Sequence, residues 1–179
     1  MKIEISNGTQ LLMEKSNIIF KVAEINQLQE IIKLYKDRSD WFKKEGIEQW
    51  SKYIIRHEKE FPVSIENKNY YILKKDEEII AGFELSYNPG NFVDNNKSLY
   101  INKIVTKVGY KNLGKLIFEI CEDIAKANNK KYLRLECKRQ NQKLNEIYDK
   151  HGFRLIGYGK TYYDFCLREK KIVKNEDKL

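Results

Sequence analysis

Along Leu99–Asn129 the spacing of apolar residues changes once, from that of a strand to that of a helix. Tyr100, Ile101, Ile104, Val105 and Thr106 form a β-branched and aromatic run, which predicts a strand over 99–106. Leu116, Ile117, Ile120, Cys121 and Ile124 then recur every three or four residues, with Lys115, Glu119, Glu122, Asp123 and Lys126 mostly opposite. That pattern predicts an amphipathic helix from 115 that ends near Asn128-Asn129. Between the two lies KVGYKNLG. After it, Leu133, Leu135 and Cys137 alternate with Arg134 and Glu136 as a strand does. Leu144, Ile147 and Tyr148 line a short helix that Gly152 ends, and Phe153, Leu155 and Ile156 open another strand.

The earlier chain reads less sharply. Residues 1–17 are polar and mixed, and are expected as an extension forming an extra strand or an ordered arm. Residues 18–25 are strand-like. Asn26 is the expected cap of a helix carrying Leu28, Ile31, Ile32 and Tyr35 on one face. Gly46 breaks that helix, and a second with Ile47, Trp50, Tyr53 and Ile54 is expected to end ahead of Pro62. Residues 70–75 and 78–87 read as a hairpin in which Glu84 shares a face with Gly82 and Ser86. The chain should close with a strand near TYYDFCLREKK and a charged tail at 171–179.

Composition narrows the classes. A chain of 179 residues, 41% hydrophobic and 12% aromatic, fits one folded domain, expected over 18–170. Its net charge of +8 comes from lysines interleaved with 26 acidic residues, without the dense basic block of a nucleic-acid-binding arm. No nucleic-acid partner is expected. No apolar run approaches the roughly 20 residues of a membrane helix, and the N-terminus lacks a secretory pattern, so the expectation is a cytoplasmic protein with no membrane partner. Cys121, Cys137 and Cys166 read as reduced thiols. His57 and His151 show no metal-ligand spacing, so no metal is expected, and no Ser or Cys nucleophile stands in a recognisable catalytic setting.

The strand–loop–helix junction carries the first chemistry. A helix start leaves N–H groups without intrahelical partners and adds partial positive charge. Lys107, Lys111 and Lys115 reinforce it, so the junction can hold a phosphate. Many such junctions bind nothing, and the purely structural reading stays open at this point.

The order of elements, with Ile104-Val105, a loop up to Gly114, Asn141, Tyr148 and Gly152-Phe153, resembles the GNAT superfamily of acyl-CoA-dependent N-acyltransferases. The likeness extends loosely over residues 18–168. It implies an α/β (α+β) fold with a mixed, largely antiparallel central sheet flanked by helices, splayed between its fourth and fifth strands. It also implies acetyl-CoA as co-substrate and a primary amine of a small molecule or peptide as acceptor. A homodimer is left open.

By that resemblance the backbone of Ile104, Val105 and Thr106 holds the pantetheine arm and the thioester carbonyl. The loop residues Gly109, Lys111, Asn112, Leu113, Gly114 and Lys115 cradle the pyrophosphate. Asn141 binds the cofactor arm or caps its helix, and Tyr148 protonates the leaving thiolate. Trp41, Trp50 and His57 lie where the family forms its acceptor site, with Gln49 and Arg56 beside them. Both tryptophans can equally be packing residues. Glu84 is the candidate base, with Glu136, Tyr100 and His57 as competitors. The loop departs from the family pattern of Arg or Gln, two residues, Gly, one residue, then Gly or Ala. Gly109 stands for the Arg or Gln, Asn112 for the middle Gly, and the loop is about two residues short. Two function classes follow: a direct N-acetyltransferase, or a degenerate relative that binds acyl-CoA weakly and works by binding or regulation.

Overall fold

In the computed structural model, which describes residues 1–47, 58–93 and 97–173, strands and helices alternate as the periodicities require. They are α1 (Asn7–Lys15), β1 (Ile19–Val22), a 3-10 turn (Ile25–Gln27), α2 (Leu28–Lys44), α3 (Glu60–Glu66), β2 (Tyr70–Lys75), β3 (Glu78–Ser86), β4 (Ser98–Thr106), α4 (Leu113–Ala127), β5 (Tyr132–Lys138), α5 (Gln142–Lys150), β6 (Arg154–Lys160) and β7 (Asp164–Lys171). The seven strands follow the order β1-β2-β3-β4-β5-β7-β6. The sheet is mostly antiparallel and β4–β5 is its parallel pair. That ladder has three registered pairs, from Ser98↔Tyr132 to Tyr100↔Arg134, and the two strands then part. The expected splay is present.

The chain forms two compact units. The first comprises Asn7–Leu85 and Lys103–Gly114; the second comprises Met1–Ser6, Ser86–Asn102 and the chain from Lys115 onward. In the first, Ile31 and Tyr35 of α2, Phe61 and Ile65 of α3, Tyr70 and Ile72 of β2, and Val105 of β4 share one buried core. The β2–β3 hairpin closes through Asp76 and Glu77, whose φ of +48° and +64° are those of a two-residue turn matched to strand twist. In the second unit, β5 and β7 pair over seven residues, β7 also pairs with β6, and Ile117, Ile120, Cys121 and Ile124 of α4 are buried.

Two expectations change and one element is added. Residues 7–15 of the N-terminal extension form a helix, not a strand or an arm. Asn26 lies inside the 3-10 turn and caps nothing; Gln27 Oε1 instead accepts from the Glu24 amide at 2.9 Å, closing the turn that leads into α2. The stretch before β2, for which the pattern offered no element, forms α3, with Pro62 inside its first turn, where the missing N–H removes no intrahelical bond. The helix expected from Ile47 to His57 falls, Ile47 apart, outside the described residues.

One close approach links packing to the site. A Cβ built on Gly82 would lie 2.5 Å from the Tyr70 hydroxyl, so β3 needs glycine there. Gly82→Ala is expected to push the Tyr70 ring aside and cost about 1–3 kcal/mol, as overpacking does. Urea unfolding of the two proteins checks this.

Candidate active site

The first unit supplies the end of β4. Lys103 has φ +51° in the middle of that strand, a conformation rare for a residue with a Cβ, and it breaks the regular pleat. Two tyrosines hold the break. The Tyr35 hydroxyl donates to the Lys103 carbonyl, and the Tyr70 hydroxyl lies 3.0 Å from that of Tyr35. Since Tyr35 has one proton to give, Tyr70 donates to Tyr35. Burial pushes the Tyr70 phenol far above its ordinary pKa, so this donor keeps its proton.

The Lys103 ammonium binds the Glu84 carboxylate and lies 3.3 Å from Ser64 Oγ and 3.4 Å from Glu60. Ser64 Oγ donates to Glu84 Oε2 at 2.9 Å. Glu84, the expected base, therefore has Oε2 engaged twice, while Oε1 accepts no hydrogen bond among the described residues. Three residues on, Arg38 grips the strand end: Nε donates to the Thr106 carbonyl at 2.7 Å, and Nη2 to the same carbonyl and to Thr106 Oγ1 at 2.8 Å. Its guanidinium lies 5.2 Å from the Trp41 ring and 5.8 Å from that of Phe42. Trp41 is thus a half-buried platform for Arg38. Trp50, His57, Gln49 and Arg56 lie outside the described residues.

The loop after Thr106 is exposed through Lys111 and Asn112. Gly109 has φ +90° and Asn112 φ +63°, and a Cβ on Gly109 or Gly114 would meet nothing within 4 Å. Asn112 therefore adopts a left-handed backbone, which Asn tolerates more readily than most residues with a Cβ. The glycines on either side leave open room for a phosphate to approach the backbone. These residues fit a pyrophosphate. Leu113 begins α4 with its side chain buried, so only its backbone can serve. Lys107 is paired with Glu78, and Lys115 lies 3.7 Å from Glu119.

The second unit supplies α5. Asn141 caps it, with Oδ1 accepting from the Leu144 amide at 3.0 Å. Of the two roles open for this residue, helix capping is visible. Tyr148 is 6% exposed, with its ring between those of Phe118 and Phe153 at centroid distances of 5.9 Å each. Its hydroxyl makes no hydrogen bond among the described residues, yet it is not among the fully sealed unpaired atoms. Burial raises its pKa well above the ordinary phenol value, and the neighbouring Cys137 adds to the rise while Arg168 opposes it. Its phenol stays protonated, with no partner for that proton among the described residues.

Of the competing bases, His57 lies outside the described residues and the other two are engaged. Glu136 accepts from Asn91 Nδ2 at 3.0 and 3.1 Å, and Tyr100 is buried with its ring 5.4 Å from Phe92. All three cysteines are free and buried, and among the described residues no three His, Cys, Asp or Glu side chains cluster as metal ligands. Among the same residues, no helix is long and apolar enough to cross a membrane.

Sequence reasoning missed Tyr35, Arg38, Lys103, Asn145 and Arg168. A weak signal existed for two of them. Arg38 falls three residues after Tyr35, on the edge of the apolar face of α2, and Arg168 shares strand parity with the buried Cys166.

The Acetyltransferase (GNAT) family profile matches residues 31–153. The chain belongs to this family and is an acyltransferase. Among curated protein sequences none matches it. Its fold is similar to a GNAT-family acetyltransferase from Listeria monocytogenes, at 22% identity and TM-score 0.70, covering 86% of this chain and 94% of that one. It is also similar to the PaiA N-acetyltransferase of Thermoplasma acidophilum in complex with coenzyme A, at 20% identity and TM-score 0.67, over 86% and 98% of the two chains. A third similar structure is the ribosomal-protein-S18-alanine N-acetyltransferase of Escherichia coli, at 16% identity and TM-score 0.65, over 90% and 98%.

The loop makes a direct prediction. Asn112→Gly removes a Cβ at the position where the family pattern has its middle glycine, and is expected to tighten coenzyme A binding severalfold in calorimetric titration. Weaker or unchanged binding would show that the shortened loop contacts the pyrophosphate elsewhere.

Proposed function

We propose that this chain transfers an acetyl group from acetyl-CoA directly to a primary amine of a small molecule or peptide. The observation that carries the reading is the Tyr148 phenol, buried, protonated and without a hydrogen-bond partner among the described residues. A thiolate leaving from a thioester needs a proton, and a phenol of raised pKa stays protonated at the pH where amines are nucleophilic. The complexed PaiA relative supports coenzyme A as the carrier, and the S18-alanine relative supports a peptide amine as one acceptor class.

In this reading the thioester supplies the activated acyl group, and the chain's residues place it. The backbone of Ile104, Val105 and Thr106 takes the pantetheine arm. Gly109, Lys111, Asn112, Leu113, Gly114 and Lys115 take the pyrophosphate, and Asn141 steadies the arm while it caps α5. Trp41, Trp50 and His57 border the acceptor. Glu84 accepts the amine's proton through Oε1, the oxygen that Lys103 and Ser64 leave open. The catalytic site works in the cytoplasm, without a metal.

Tyr148→Phe is expected to lower kcat by about 10² to 10⁴, the usual worth of general-acid help, with coenzyme A affinity nearly unchanged. The assay is thiol release from acetyl-CoA with spermidine, benzylamine and a peptide with a free N-terminal alanine as acceptors. Equal turnover in the two proteins would remove Tyr148 from the mechanism.

The pH profile follows from the same groups. The acceptor must be neutral, so kcat/KM should rise with pH towards the amine's own pKa. Because burial moves the Tyr148 phenol upward, no fall from its ionisation should follow below about pH 10, the ordinary phenol value. A fall centred near pH 8 or 9 would contradict this.

A further inference from the structure

Arg168 of β7 is 4% exposed, and every N–H of its guanidinium is used. Nε and Nη2 donate to Asn145 Oδ1 at 3.0 and 2.8 Å. Nη1 donates to Asp149 Oδ1 at 2.6 Å and to the Phe153 carbonyl at 2.9 Å. The second Nη2 proton faces Asp149 Oδ2 at 3.4 Å. These partners bracket Tyr148 along the chain: Asn145 lies one turn before it, Asp149 next to it, and Phe153 just past the end of α5. Asn145 in turn donates through Nδ2 to the Lys138 carbonyl at the end of β5, at 3.1 Å, and to the Asn141 carbonyl at 2.8 Å.

This is more fixing than stability asks for. Side chains of Asp149 are 59% exposed, and a buried guanidinium can often be replaced by an apolar residue of similar volume without loss of stability. Helix α5, however, has one buried residue, Tyr148, in nine. A helix so short and so little buried is weakly held by propensity or packing. The phenol, making no hydrogen bond among the described residues, takes its position from the helix that carries it.

We propose that Arg168 is a positioning residue for Tyr148, locking the rotation and height of α5 through Asn145, Asp149 and the Phe153 carbonyl so that the phenol meets the leaving thiolate. The proposal rests on the reading of Tyr148 as the acid. Its logic is geometric: a planar fork with five donors fixes a helix about its axis, whereas a single ammonium cannot.

The test is a double-mutant cycle on the full chain, with acetyl-CoA and excess benzylamine as probes and thermal melting as a check on folding. Arg168→Met is expected to lower kcat about 10- to 100-fold, as a misplacement on the order of 1 Å does, with the KM for acetyl-CoA within about twofold. Arg168→Lys should recover only part of the loss. In a Tyr148→Phe background Arg168→Met should cost nothing further. If Arg168→Met does not fold, Asp149→Ala takes its place, since that partner is largely exposed, and the same non-additivity is expected. An equal loss of kcat in both backgrounds would overturn the positioning role while leaving Tyr148 as the acid. Full activity of Tyr148→Phe would overturn the acid assignment, and the proposal with it.

Discussion

A strand that outruns its neighbour must find other partners for its backbone. β4 pairs with β5 over three registered residues, and in the first unit the side chains of Tyr35 and Arg38 hold the part of β4 that continues beyond. At Lys103 the backbone enters the left-handed region, and its carbonyl is taken by a buried tyrosine rather than by a strand. At Thr106 the carbonyl is taken by an arginine from α2. The strand end is therefore held in place by side chains from a helix some seventy residues earlier in the chain. Strain of this kind persists only where the surroundings over-determine it, and it concentrates where a backbone has work to do.

The second unit solves a different problem, the placing of one hydroxyl. In the proposed reaction Tyr148 gives a proton to the leaving thiolate, for which a raised pKa keeps it protonated and an open bond lets it donate. Ring contacts with Phe118 and Phe153 provide the first, and the absence of a partner among the described residues provides the second. A group left unsatisfied in this way carries a cost, which the hydrogen bonds of Arg168, Asn145 and Asp149 offset around it. Charge here serves geometry more than attraction.

The loop between β4 and α4 departs from the family pattern in composition and in length. Asn112 adopts φ +63° where glycine is usual, because Asn is the residue with a side chain that tolerates that region best. Where the family pattern has Arg or Gln at the head of the loop this chain has Gly109, and the residue just before the loop, Thr106, is held by Arg38 of α2.

Much of this was written in the linear chain. The switch of period between Thr106 and Leu116, the alternation of Leu133, Leu135 and Cys137, and the Asn141–Tyr148–Gly152 spacing follow from local preference and one-sided burial, so they are legible without coordinates. Helix α3 was not legible because Pro62 reads as a stop, whereas a proline in the first turn of a helix removes no intrahelical bond. What only the tertiary structure decided are the polar contacts of long sequence separation: Tyr35 on Lys103, Arg38 on Thr106, Lys103 on Glu84 and Arg168 on Asn145. No periodicity announces them, because each joins two elements that meet only after the sheet has formed, and a buried cation looks like a surface one until its partners are known.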